Sequence, residues 1–352
     1  MAYWDRHKDA LDLFRKGGFA TIDEFCKLAG ISRLQNEIHG LRCMLRAALG
    51  LLNPEESFEK SEYYGFVQSV FADDLVSLRD DITILTYNYD PYLEFLLFRA
   101  KQHRWSVTRR GKGFIQTPED MVKHKELEMQ LNAVTSGFYS QQDLNWLNEG
   151  ETKRAFCVLK LHGSICHFAD EAAGFESLFS DPPIQRAEKL FKKSVEGILP
   201  PILFPWEMVS EKGFADAQSF PLYRNLQPLF SGIWQRARRE IQSADKISFV
   251  GMSMHSFLLD GLKHLFNGKA GQVEVCVANS DTPAWVRANR ETYWQNKPHT
   301  SAYNVSKMLK EFAPAMNQVG VTADRGLASD QITLVSDFES FVKTQMKPIA
   351  IN

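Results

Sequence analysis

The chain has 352 residues, 44% of them apolar and 12% aromatic, enough to bury a sizeable core in one large domain or two ordinary ones. Its 41 basic and 43 acidic side chains leave a formal charge of -2, which excludes a bulk basic field for gripping nucleic acid or an anionic membrane. No apolar run reaches the ~18 residues that a membrane span needs, and no basic-then-apolar secretory pattern opens the chain, so a cytoplasmic protein is expected.

Taken in chain order, the first 80 residues read as helical and as part of the same domain as the strands beyond them. Thr21-Ile22-Asp23-Glu24 forms a capping box, with Ile22, Phe25, Cys26 and Leu28 supplying an apolar face. Arg33 to Leu51 and Tyr63 to Leu78 repeat the helical spacing. The run Ile82 to Tyr87 is rich in β-branched residues and reads as a buried strand that stops at Asn88 and Asp90. Pro91 then opens a helix through Phe98, since proline is tolerated in a first turn and Asp90 is a good N-cap.

Residues 101–153 show no strand signal and read as a helical insertion. The basic residues of its loop, Arg104, Arg109, Arg110 and Lys112, are expected to be a solvated turn. Phe156 to Leu161 is a second strand running into His162-Gly163-Ser164, and a second helical insertion comes near 168–220. Leu229, Ile233, Ala237 and Ile241 fall on one helical stripe that leads into a strand at 247–250, ending in Gly251-Met252-Ser253. The last strands are 273–277 and 332–335, with Phe338 and Phe341 on a short closing helix and a tail at 346–352. This alternation predicts an α/β fold, a Rossmann-like and mostly parallel sheet with helices on both faces and helical insertions. In such sheets ligands sit beyond the carboxyl ends of the strands, where Asn88, Asp90, His162 and Gly251 fall.

Taken together, Thr86, Asn88, Asp90 and Glu94 after one strand, Leu161-His162-Gly163 after another, then Val250, Gly251, Ser253 and Asp260, and finally Val277 and Asn279, resemble the sirtuin family in its bacterial sirtuin-like branch. Leu199-Pro200-Pro201, the stretch from Leu229 to Trp234, and Ser243-Ala244-Asp245 also match that branch in order and rough spacing. The resemblance covers roughly residues 80–345. It implies a sirtuin-like fold that binds NAD as substrate and cleaves it to nicotinamide and ADP-ribose in antiviral defence. It further implies an oligomer that gates activity, with a defence-system protein as a possible partner. By the same resemblance Asn88 and His162 would be catalytic, Asn88 orienting water or a ribose hydroxyl and His162 acting as base or hydroxyl-orienting group. Thr86, Asp90, Gly251, Ser253 and Asn279 would hold the cofactor, Asp90 accepting from the nicotinamide carboxamide, Gly251 and Ser253 approaching a phosphate or ribose, and Asn279 the adenosine ribose.

Two departures qualify the expectation. The five cysteines include no CxxC pair, so neither a disulfide framework, a structural zinc nor the zinc module of the deacetylating sirtuins is expected. The strand and glycine-rich phosphate turn that such folds carry near their start have no counterpart before Gly17-Gly18, and the chain reads as beginning just after that loop. That gap keeps open a non-catalytic relative serving as an assembly or regulatory subunit, and it argues against an NAD-dependent dehydrogenase. Simpler roles compete at single positions, Asn88 as a turn former and His162, Cys166 and His167 as metal ligands lacking a fourth, while a helix cap at Asp90 is compatible with its site role. Ser253 and His255 lack the second glycine of a nucleophile elbow.

Overall fold

The apolar run after Arg79 forms β1 (Thr83–Thr86), and the run after Ala155 forms β2 (Cys157–Lys160). The two pair in parallel with Thr83 opposite Cys157 and Thr86 opposite Lys160, so their carboxyl ends lie at one edge of a two-stranded sheet. Every residue of β2 is buried, as continuous apolar strands in parallel sheets are. In the computed structural model the described residues are 12, 16, 35–51, 62–71, 78–97, 99–100, 156–165, 182–195, 202–204, 227–251, 256–271, 273–278, 301–313, 332–335 and 346. They belong to two compact units, one within Met1–Phe58, Asp74–Met208 and Gly213–Ile233, the other within Glu59–Asp73, Val209–Lys212 and Trp234–Asn352.

In the first unit α1 (Gln35–Gly50) packs against α3 (Pro183–Val195), which lies inside the expected second insertion. Ile165, Leu190 and Ile202 form a buried cluster with Leu45, Leu49 and Tyr89 against it, which joins helix packing to the segment after β2. At the crossing, a Cβ added to Gly50 would stand 2.7 Å from Leu190 Cδ1 and 3.2 Å from Ala187 Cα. The glycine thus sets how closely the two helices approach.

In the second unit β3 (Lys246–Val250), β4 (Glu274–Ala278) and β5 (Ile332–Val335) form a parallel sheet in the order β3-β4-β5. Central β4 is buried from Val275 to Ala278, whereas edge strand β3 alternates. α2 (Glu62–Ser69) supplies Phe66 to the cluster around Cys276 and Ala278, together with Val250 and Met346. The division between the units falls within α4 (Gln227–Ser243), whose Ile233, Ala237 and Ile241 are buried as the stripe predicts. Beyond it, Lys269 Nζ donates to the carbonyls of Gln242 and Ala244 at 2.8 Å each, a cationic cap for helix carbonyls that lack partners. α5 (Ser256–Phe266) and α6 (Ser301–Phe312) pack together, and Phe266 stacks on Phe249 with centroids 5.9 Å apart.

The α/β expectation therefore holds, with parallel pairing wherever named strands meet, but the described strands form separate sheets of two and three. Among the described residues no helix is long and apolar enough to cross a membrane. The capping box at Thr21, the insertion at 101–153 with its basic loop, and the closing helix at Phe338 lie outside the described residues.

Gly50→Ala tests the crossing of α1 with α3. Alanine gains up to about 1 kcal/mol of helix propensity over glycine, but overpacking against the fully buried Leu190 and the Ala187 backbone costs about 1–3 kcal/mol. A lower urea midpoint is expected. An unchanged or higher one would mean that α3 moves aside freely.

Candidate functional site

The tip of the two-stranded sheet is built by pairing that continues past the strands. Leu161 N–H donates to the Thr86 carbonyl at 3.0 Å, so the parallel ladder persists one residue beyond β2. Asn88 and His162 each stand two residues beyond the last register pair, Thr86 with Lys160, and so lie level at the same end of the sheet. Asn88 N–H donates to Thr86 Oγ1 at 3.1 Å, and the Asn88 side chain is exposed. The next carbonyl, of Tyr89, accepts from Ile165 N–H at 3.0 Å and Ser164 Oγ at 3.3 Å, while Tyr89 Oη donates to the Leu203 carbonyl at 2.9 Å. Asp90 Oδ1 accepts from Tyr92 N–H at 3.0 Å, the N-cap expected for a helix with Pro91 at its first position. A carboxylate has two oxygens, so the cap leaves one with acceptor capacity.

Gly163 turns the chain after β2. Its φ of 84° lies in the left-handed region, its N–H donates to the Lys160 carbonyl at 3.1 Å, and it bridges to Ile202 in antiparallel sense. Leu203 N–H then donates to the His162 carbonyl at 2.8 Å, fixing the histidine backbone. Two buried arginines of α1 serve the same irregular backbone: Arg42 Nε donates to the Ile202 carbonyl at 3.1 Å and Arg46 Nε to the Ile165 carbonyl at 2.9 Å. Carbonyls buried outside regular structure need such donors.

The His162 imidazole is buried, with the Tyr87 ring edge-on at 4.7 Å between centroids and the Tyr89 ring tilted at 6.1 Å. Burial pushes its pKa down to about 3, because the charged form loses its hydration. Of the two roles that the resemblance implies for His162, that of a base, which asks for a group titrating near working pH, does not fit this environment. A neutral imidazole remains, a weak base that still offers one donor and one acceptor. Burial likewise pushes the Tyr87 phenol above its ordinary value, and its hydroxyl oxygen is buried with no hydrogen-bond partner among the described residues.

Behind the turn, Lys160 Nζ donates to the Asp90 carbonyl and lies 3.0 Å from Glu94 Oε1, with both side chains buried. Burial raises the Glu94 pKa, although Lys160 opposes the shift. Neither Lys160 nor the paired arginines stood out as functional in the sequence, although a lysine within Phe156-Cys157-Val158-Leu159-Lys160-Leu161 signals a buried charge that needs a partner.

Of the expected site residues, Thr86, Asn88, Asp90 and His162 thus come together at one sheet end in the first unit. Gly251 closes β3 in the second unit, with a left-handed φ of 60° and its N–H donating to the Ala278 carbonyl at 2.9 Å. Ser253 and Asn279 lie outside the described residues, as do Cys166 and His167. Among the described residues no group of three His, Cys, Asp or Glu is placed to hold a metal ion. What the tip offers chemically is an exposed amide that donates and accepts, a capped carboxylate, and a neutral imidazole.

The His162 shift has a measurable consequence. Its folded pKa is lowered below the unfolded value, so the stability it contributes is present above about pH 6.5 and is lost as pH falls toward 3. Between pH 6.5 and 5 this amounts to about 2 kcal/mol. Glu94 acts with the opposite sign, since a raised folded pKa favours folding on acidification. Urea denaturation at the two pH values should therefore show wild type losing about 2 kcal/mol more than His162→Phe, a difference from which Glu94 cancels. Equal losses would mean that His162 is solvated.

The chain matches no protein-family model, and no curated protein or solved structure shows significant similarity to it.

Proposed function

We propose that the protein is a sirtuin-like, Rossmann-type NAD hydrolase that cleaves the nicotinamide–ribose bond, acting in the bacterial cytoplasm in antiviral defence as a gated oligomer. The observation that supports this reading is the parallel pairing of β1 with β2, which sets Asn88 and His162 level at one sheet end with Asn88 exposed. Cleavage builds positive charge on the ribose, so a site needs fixed dipoles or negative charge near the sugar and a positioned water. In this reading Asn88 orients the water or a ribose hydroxyl. Asp90 supplies negative charge and accepts from the carboxamide with the oxygen its cap leaves over. His162, neutral through burial, orients a hydroxyl rather than removing a proton. Water loses its proton after the ribose cation has formed, so a strong base is not required at that step.

A second reading, a non-catalytic assembly or regulatory subunit, is favoured by a different observation. His162 lies under two tyrosine rings in a densely hydrogen-bonded tip, as a purely architectural histidine would.

Purified protein incubated with NAD and followed by chromatography for nicotinamide separates the two. Release of nicotinamide is expected, with Asn88→Ala lowering the rate about a hundredfold at unchanged stability, the scale for loss of a positioning group. His162→Ala should lower it comparably. No nicotinamide from wild type, together with no NAD binding by calorimetry, would sink the hydrolase and leave the assembly subunit.

A further inference from the structure

The Lys160–Glu94 pair is stranger than a stabilising salt bridge. An ammonium carries three donors and a carboxylate two oxygens. Here Lys160 donates to the Asp90 carbonyl and to Glu94 Oε1, while Glu94 Oε2 is buried with no partner among the described residues. Buried ion pairs with incomplete hydrogen bonding recover their desolvation poorly, and apolar residues of similar size often replace them without loss of stability. The pair therefore calls for an explanation other than stability.

Its connections supply one. Lys160 ends β2, Glu94 lies in the helical segment 92–97, and the Asp90 carbonyl belongs to the residue that caps that segment. A single ammonium thus ties the second strand to the far end of the 86–90 turn. The near end is held by Thr86, whose hydroxyl accepts from Asn88 N–H and whose carbonyl accepts from Leu161 N–H. The middle is held at Tyr89, through Ile165, Ser164 and Leu203. Every residue of the turn but Asn88 is half-buried, and Asn88, engaged through its backbone N–H, is the one presented to solvent.

We propose that Lys160 and Glu94 are positioning residues, whose buried pair fixes the backbone of the 86–90 turn so that Asn88 is presented to substrate from one place. The inference rests on the NAD-cleaving reading for its catalytic consequence, but its structural half stands apart from it. Removing the pair frees the Asp90 carbonyl and lets the turn sample several geometries. A displacement of about 1 Å in a positioning group costs roughly a hundredfold in rate, and substrate contacts made elsewhere leave KM nearly unchanged.

The test uses the full chain carrying Lys160→Met with Glu94→Leu, and in parallel Lys160→Gln with Glu94→Gln, which keeps the site polar but uncharged. Three quantities are read: the urea midpoint, hydrogen exchange at the amides of Asn88 and Tyr92, and kcat and KM for nicotinamide release from NAD. The expected result is a midpoint at or above wild type in at least one double variant. In that variant exchange should be at least about tenfold faster at Asn88 and Tyr92, with amides of β3 and β4 unchanged. Its kcat should fall about a hundredfold while KM moves little. Faster exchange in a protein whose wild type does not cleave NAD would uphold the positioning role and sink the hydrolase reading. Unchanged exchange and kcat in a stable double variant would overturn the proposal. Failure of both variants to fold would also overturn it, by making the pair a structural necessity.

Discussion

Burying the ammonium of Lys160 is the constraint on which the tip of the first unit depends. An ion moved into a protein interior loses several kcal/mol of hydration even after relaxation, so it must find acceptors where it lies. Lys160 finds them in the Asp90 carbonyl and Glu94. Both belong to the chain after β1, so satisfying one side chain of β2 fixes the path by which β1 turns into its helix. The Asp90 cap and the exposed position of Asn88 accompany that path. Parallel register alone would bring the strands together. The lysine adds the tie that holds the far end of the turn beyond them.

The same logic runs through α1. Residues 162–165 and 202–204 are buried although they form no regular strand, and buried carbonyls in such segments need donors. Arg42 and Arg46, one helical turn apart, reach the Ile202 and Ile165 carbonyls, and the Arg42 guanidinium also lies 4.9 Å from the centroid of Phe204. Their position is set by the packing of α1 on α3, where Gly50 allows close approach. A helix crossing on one side of the unit is thus mechanically linked to the backbone that holds His162. The link consists of two guanidinium groups and a glycine.

How much of this could be read from the sequence depends on what each residue type reveals alone. The β-branched runs marked β1, β3 and β5 within a residue or so, because apolar length is a local property. The Asp90-Pro91 cap was legible for the same reason, since both the preferred cap residue and the fixed φ of proline are local. The arrangement of the described strands into two sheets was not legible, because pairing depends on contacts distant in sequence. α1 and α2 are close neighbours along the chain yet belong to different units. His162 shows the limit most plainly. A histidine after a strand suggests a group titrating near neutrality, but its pKa depends on the tyrosine rings and the 202–204 segment around it, and their proximity is not encoded in spacing. Lys160 is the converse case, where a charge inside an apolar run signals a buried partner that reading the run as a strand passes over.

These features together narrow the chemistry the tip can perform. Its imidazole is neutral, its lysine is committed to Asp90 and Glu94, and Asp90 spends one oxygen on a helix. His162 and Glu94, whose titration is shifted, are both buried, whereas abstracting a proton from a reluctant substrate usually takes an accessible group poised near neutrality. What remains is an array of hydrogen-bonded dipoles with one partly committed carboxylate. Such an array is suited to reactions in which the substrate develops positive charge by losing a leaving group, because fixed dipoles require no reorganisation as the charge appears. Cleavage of a glycosidic bond to a cationic leaving base belongs to that class, and so does simple binding of a ribose hydroxyl without chemistry. In the proposed reading those two fates differ in how the 86–90 turn presents Asn88, and Lys160 and Glu94 hold that turn from behind.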